Sequence, residues 1–200
     1  MNMTEKEMNC FLEEYIETWL YHDIEICLSN NANFACALLI CCGIDFIGSL
    51  IKGRERGFSE FMSPEYFPEI SCGQSKEIKN IFRNGLVHQF FPKDNSSIGG
   101  GFSELHLKVN PAGGLHLDPR QFSVDFKKAA DKYKEKLQSN EKLKDNFEKR
   151  IKQISNKSCN LTKKFDNVKG EINIPIFWSS VSASQDGTIY KIPVSRKSEI

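Results

Sequence analysis

Basic side chains are almost missing from the first quarter of this chain. Residues 1–51 carry Lys6 and no other lysine or arginine, against eight acids, a net of −7. A secretory leader needs a basic start and an apolar run. The acidic, amphipathic stretch Met1–Glu17 therefore predicts no signal peptide. A membrane-length apolar run is missing too. Ala35–Ile44 falls well short of the ~20 residues that cross a bilayer, and Asp45 follows it at once. It reads as a buried core helix with no part in a membrane. The seven cysteines (10, 27, 36, 41, 42, 72 and 159) never form a C-x2-C pair, which removes the usual zinc spacing. Their odd number and apolar surroundings predict free, buried thiols in a reducing, cytoplasmic setting. Gly99-Gly100-Gly101 is not followed by Lys-Ser/Thr, so it is no phosphate loop. Ser179, Ser180, Ser182 and Ser184 lack a G-x-S-x-G frame, and no serine nucleophile is read there.

What is present suits a globular protein. The 200 residues are 40% apolar and include fifteen phenylalanines, enough for one domain with a proper core and a tail. The totals of 27 basic and 26 acidic residues hide an asymmetry, because residues 120–169 hold fifteen bases and seven acids, a net of +8. Such a half offers a field to polyanions, or simply solvates the outer faces of its helices.

The periodicity is mainly helical. Thr4 and Glu7 have capping-box spacing, and Met8, Phe11, Leu12, Tyr15, Ile16, Trp19 and Leu20 form an apolar stripe behind them. That stripe needs a partner face, so the helix belongs to a bundle. A second helix is expected from Asn30-Asn31 to about Ile51, apolar nearly all round at its start. Ser63-Pro64 opens a short turn, and Ser75 starts a helix with Ile78, Ile81, Phe82 and Leu86 on one side, closed by Pro92. Leu105-His106-Leu107 and Leu115-His116-Leu117 alternate about Asn110–Gly114, which predicts a β-hairpin at about 102–119. Ser123 caps a long helical stretch to about Ile154, divisible at Ser139-Asn140. Residues 155–170 read as a polar linker. Residues 171–178 and 188–194 read as two strands confined to edges by Pro175 and Pro193.

One window carries chemistry. Ile81-Phe82-Arg83-Asn84-Gly85-Leu86-Val87-His88-Gln89-Phe90-Phe91-Pro92 places Arg83, Asn84 and His88 among large apolar residues. Histidine is the side chain whose ordinary pKa suits proton transfer near neutral pH. Arginine is a permanent cation whose donor fork fits phosphate. A metal-independent site that cuts phosphodiesters needs little more than those two groups. On a straight helix Arg83 and His88, five residues apart, point about 140° from each other, whereas Asn84 and His88 share a face.

At Arg83-Asn84-x3-His88 the sequence resembles the HEPN superfamily of helical-bundle domains, whose ribonuclease members carry an arginine, a polar residue after it and a histidine four to six residues on. The resemblance covers roughly residues 4–155 and implies a mainly α fold. That fold would be an antiparallel HEPN-like bundle over 1–155 with a hairpin insertion, followed by a linker and strand-bearing extension over 156–200. It implies a homodimer whose two motifs share a composite cleft, and it makes Arg83, Asn84 and His88 the catalytic residues. His88 would move a proton at the ribose 2′-hydroxyl or the leaving oxygen, Arg83 would stabilise the phosphorane-like charge, and Asn84 would orient histidine or phosphate. The expected activity is a metal-independent endoribonuclease leaving 2′,3′-cyclic phosphate ends. It would need no cofactor and would act as a toxin or defence effector with an RNA substrate and a neutralising antitoxin partner. Some toxin members add a tyrosine two residues after the histidine. Here Phe90 stands there, so regulation through that hydroxyl is not expected. The alternative is a non-catalytic bundle that binds RNA, nucleotide or a protein partner without cutting.

Three further features remain. Asp45 interrupts the apolar second helix, either as a support for the motif or as a structural partner of Arg83. His106 and His116 face each other across the expected hairpin, near Glu104 and Asp118, but exposed strand histidines are commoner than metal ligands, and no metal site is assigned. The lysines of 127–169 could track an RNA backbone, although they lack interleaved aromatics for base stacking.

Overall fold

A computed structural model describes residues 3–165, with side chains described as far as 155. The protein is mainly helical. Helix α1 starts at Thr4, whose side chain accepts from the Glu7 N–H while Glu7 reaches back to the Thr4 N–H at 2.7 Å, so the capping box is closed. It continues as α-helical Glu5–Leu12, π-helical Glu13–Leu20 and α-helical Tyr21–Ser29. Met8, Phe11, Leu12 and Ile16 of the expected stripe are buried. A turn through Asn31, at φ 53°, leads to helix α2, Asn33–Lys52. Gly53 ends α2 in a left-handed conformation at φ 68°.

Short helix α3, Phe58–Phe61, and helix α4 follow. Helix α4 consists of α-helical Cys72–Ile78, π-helical Lys79–Asn84 and α-helical Gly85–Gln89. It starts at the Ser71 cap with a Ser71–Gln74 capping box, not at Ser75, which is buried inside it. Helix α5, Pro119–Ser139, is capped by Asp118 with proline in its first turn. Ser123, expected as the cap, is a buried residue of its first turns. The chain breaks at Asn140, and helix α6 runs from Glu141 to Phe165. Residues 156–165, expected within a linker, are therefore helical.

The segment between α4 and α5 departs from a simple hairpin. Strands β1, Ser97–Ile98, and β2, His116–Leu117, pair in parallel with Ser97 opposite His116. The expected turn is present. The Asn110 side chain accepts from the Ala112 and Gly114 N–H groups, and Val109 bridges Leu115 antiparallel. One arm then leaves the ladder, because Ser103–Leu105 is a 3-10 turn and Leu107 sits at φ 54°. The strands expected within 171–194 lie outside the described residues.

The core is one cluster drawn from all six helices, with Phe58, Phe61, Phe82, Phe122, Phe126 and Phe147 fully buried. Helix α2 is long and apolar enough to cross a membrane by length and composition, and about half of it is buried inside the protein. Its backbone touches the following loop directly. A Cβ on Gly48 would lie 1.8 Å from the Gly57 carbonyl oxygen. The chain divides into a compact unit over Met1–Cys159 and a second over Asn160–Ile200.

The uneven charge pairs within the first unit. Lys127 meets Glu25 at 2.5 Å, Lys134 meets Glu17 at 2.8 Å, and Lys144 meets Glu5 at 2.5 Å. The acids of α1 thus face lysines of α5 and α6. Those three lysines are engaged by the protein's own carboxylates.

Candidate functional site

The motif sits where α4 changes its winding. A π turn closes i→i+5 bonds and so holds more residues than an α turn. Arg83 and Asn84 are the last two residues of that turn. Each of its steps rotates less than an α step, which narrows the angular gap between Arg83 and His88 without closing it. After the helix, the chain turns at Phe90, which caps it at φ 65°. A bulky residue in that conformation costs on the order of 1–3 kcal/mol. The turn is held by its surroundings. The Lys93 N–H donates to the Ile81 carbonyl at 3.2 Å, and the returning chain passes so close that a Cβ on Gly85 would meet the Phe91 oxygen at 2.5 Å. Glycine at 85 is what permits that approach.

Arg83 is held in place by Asp45. Its Nε donates to Asp45 Oδ2 at 3.0 Å, and its terminal nitrogen Nη2 lies 2.9 Å from the same oxygen. Nη1 donates to Asn84 Oδ1 at 3.3 Å. Asp45 Oδ1 is buried with no partner among the described residues. Ion pairs this open contribute on the order of 1 kcal/mol, so the pair orients the guanidinium more than it stabilises the fold. His88 is exposed and makes no hydrogen bond, ion pair or ring contact among the described residues. The three motif residues therefore form an anchored cation, an amide bonded to it and an uncommitted imidazole.

No protein-family model, curated protein or solved structure matches this chain. Function has to be read from the side chains themselves.

The large residues beside the motif divide. Phe82 is core at 0% exposure, while Phe90 and Phe91 are 67% and 62% exposed. Phe34 of α2 packs against both rings. On α2 next to this cluster, Ala35 and Cys42 are exposed, and Leu38 and Leu39 are half-buried. The spacing of these residues leaves one stripe of an apolar helix partly open.

The thiols differ from expectation. Cys36 and Cys41 are buried, but Cys10, Cys42 and Cys72 are exposed, and all five are free. Burial pushes the Cys36 thiol up to about 12 and raises Cys41 and Cys42 as well, so none of these three is poised as a nucleophile.

His106 and His116 do come together, in the interior and not on an exposed face. The His116 residue and the His106 side chain are each 7% exposed. Among the described residues, no group of three His, Cys, Asp or Glu side chains can hold a metal ion. Asp118 is committed elsewhere. Its Oδ1 accepts from the Arg120 and Gln121 N–H groups, and its Oδ2 accepts from those of Gly101 and Phe102. Its own N–H donates to His106 Nδ1 at 3.1 Å, so His106 must keep that nitrogen unprotonated.

Acid should therefore loosen this insert first. Burial holds the His106 imidazole below its ordinary pKa. His116 adds to the effect, while Asp125 and Asp118 oppose it. Burial alone would raise the Asp118 carboxyl, but four backbone donors outweigh it and hold it low. A histidine kept neutral by folding gives its full stabilisation above its unfolded pKa of about 6.5 and loses it as pH falls below that value. The Asp118 contribution survives until pH falls below about 4. Melting curves from pH 8 to 5 should show Tm falling below about pH 6.5. His106→Gln should flatten that fall, and equal slopes in the two proteins would remove His106 as its cause.

Proposed function

We propose that this chain is a metal-independent endoribonuclease of HEPN type, built as an antiparallel helical bundle and acting as a homodimer. The observation that carries the reading is the state of the motif: Arg83 anchored on Asp45 and bonded to Asn84, with His88 exposed and unengaged at the end of the same helix. In the reaction the ribose 2′-oxygen attacks the adjacent phosphorus, the bond to the 5′-oxygen breaks, and a 2′,3′-cyclic phosphate and a 5′-hydroxyl result. His88 takes the 2′-hydroxyl proton, and His88 of the second copy supplies one to the leaving oxygen. Arg83 stabilises the extra negative charge on the phosphoryl oxygens. DNA is spared because it lacks the 2′-hydroxyl.

The half-open stripe of α2 with Ala35, Leu38, Leu39 and Cys42 is the surface for the second copy. It lies on the helix that also carries Asp45, so pairing there brings two motifs together. The activity belongs in the cytoplasm, as a toxin or defence effector with a neutralising partner. The testing experiment incubates the purified chain with labelled total RNA in EDTA. Fragments with 2′,3′-cyclic ends support the reading, and intact RNA after long incubation overturns it. Asp45→Asn keeps the shape and removes the anchoring charge. It should slow cleavage by up to about 100-fold through misplacement of Arg83, with an unchanged circular dichroism spectrum. An unchanged rate would make the pair purely structural.

The second reading is a non-catalytic binding module. It draws on the same ion pair, because a guanidinium already spent on Asp45 and Asn84 has less to offer a phosphate. Tight RNA binding without cutting would favour it.

A further inference from the structure

We propose that Phe90 and Phe91, braced by Phe34, form a stacking platform for an unpaired RNA base flanking the cut. The inference rests on the ribonuclease reading and gives the strand a place to lie. Most phenylalanines among the described residues are buried, yet these two neighbours expose 67% and 62% of their surface two and three residues after His88. Solvation gives no reason to keep two rings out, and the backbone is strained to do it, with Phe90 in the left-handed region at φ 65°. The close approach at Gly85 and the Lys93–Ile81 hydrogen bond hold that turn.

The rings are arranged for stacking. Phe34 and Phe90 lie nearly parallel, 14° apart with centroids at 6.2 Å. Phe91 stands edge-on to both, at 82° to Phe34 and 87° to Phe90. Three rings that brace each other lose little freedom when a fourth arrives. The helix and the turn after it carry a modest positive excess. Residues 72–94 hold Lys76, Lys79, Arg83 and Lys93 against Glu77 and Asp94, a net of +2, with Arg83 itself paired to Asp45. A base attached to phosphate matches this combination of open rings and basic side chains better than the apolar face of a second copy does. Stacking grows with ring area, so a purine beside the scissile phosphate is preferred to a pyrimidine.

The test uses fluorescein-labelled single-stranded oligonucleotides, purine-rich and pyrimidine-rich, with the protein in a His88→Ala background so that no strand is cut. Adding Phe90→Ala and Phe91→Ala should raise Kd by about fivefold or more, with the larger loss for the purine-rich strand. Phe90→Trp should retain binding. Circular dichroism and size-exclusion chromatography should show the same fold and the same oligomeric state. An unchanged Kd overturns the platform. A changed oligomeric state overturns it too and assigns the rings to a second copy. Wild type that cuts RNA while Kd ignores the rings keeps the ribonuclease and removes the platform. Wild type that leaves RNA intact while Kd follows the rings removes the cutting and keeps the platform.

Discussion

Replacing His88 by alanine should cut RNA cleavage by roughly 100- to 10,000-fold, the range for loss of a general acid–base group, while helical content and Tm stay as in wild type. The stability half of this expectation comes from the structure. His88 is exposed and bonded to nothing among the described residues, so truncation strands no partner and opens no cavity. Surface changes of that kind stay within about 0.5 kcal/mol. The activity half comes from the proposed mechanism, in which His88 carries the proton while the Asp45 carboxylate is held against Arg83. The measurement is cleavage of labelled RNA in EDTA, wild type against variant, with the fragment ends typed. Equal cleavage by the variant would end the histidine mechanism. Arg83→Ala is a weaker probe because it also strands Asp45, whose Oδ1 already lacks a partner among the described residues.

Gly48→Ala should be among the most damaging single methyl groups that can be added to this protein. Position 48 is inside α2, where alanine ordinarily favours a helix by about 1 kcal/mol over glycine. Here the added carbon would lie 1.8 Å from the Gly57 oxygen and 2.4 Å from its carbonyl carbon. The obstruction is reciprocal, since a Cβ on Gly57 would lie 1.9 Å from the Gly48 carbonyl carbon. Overpacked cores lose about 1–3 kcal/mol when side chains can yield. Backbone yields less, so a loss of about 3 kcal/mol or more is expected, which lowers Tm by roughly 6–12 °C for a chain of this size. Gly73→Ala is the control. Its Cβ meets only Ser71 Oγ at 3.9 Å, on an exposed first turn, and its Tm should stay within a few degrees of wild type. A Gly48→Ala protein that melts with wild type would mean that the helix and the loop do not touch.

The long helices were legible in the sequence because their signals are local. The Thr4–Glu7 box, the stripe behind it and the break at Ser139-Asn140 all depend on neighbours within a few residues. Two helix starts were misplaced although their signals were present. Ser71–Gln74 has capping-box spacing and Asp118-Pro119 is a cap followed by proline, but Ser75 and Ser123 resemble caps equally well in isolation. The parallel pairing of Ser97 with His116 has no periodicity to betray it, because each strand is two residues long and its partner lies 19 residues away. Within the site, the chemistry of Arg83, Asn84 and His88 could be read from residue types. The contact with Asp45 was one of two open options, since it depends on how α2 and α4 are set against each other. The outward turn of Phe90 and Phe91 could not be read, because a phenylalanine at positive φ breaks the rule that glycine takes such places.

The pairing of α1 with α5 and α6 also sets an order of events at the ribosome. Helix α1 is made first, yet its electrostatic partners stand far downstream: Glu25 waits 102 residues for Lys127, and Glu5 waits 139 for Lys144. At about 5–20 residues per second, the acidic side of α1 spends on the order of 5–20 s or more without them. Contacts between such distant parts of a chain form late and slow its folding. A nascent chain halted before α5 would show the acidic side of α1 with no lysine to meet it, although its apolar stripe already has α2 to pack on, as Phe11 does on Phe46. Swapping the order of the segments by circular permutation, so that α5 and α6 emerge before α1, would shorten that exposure while keeping the same ion-pair partners in the sequence.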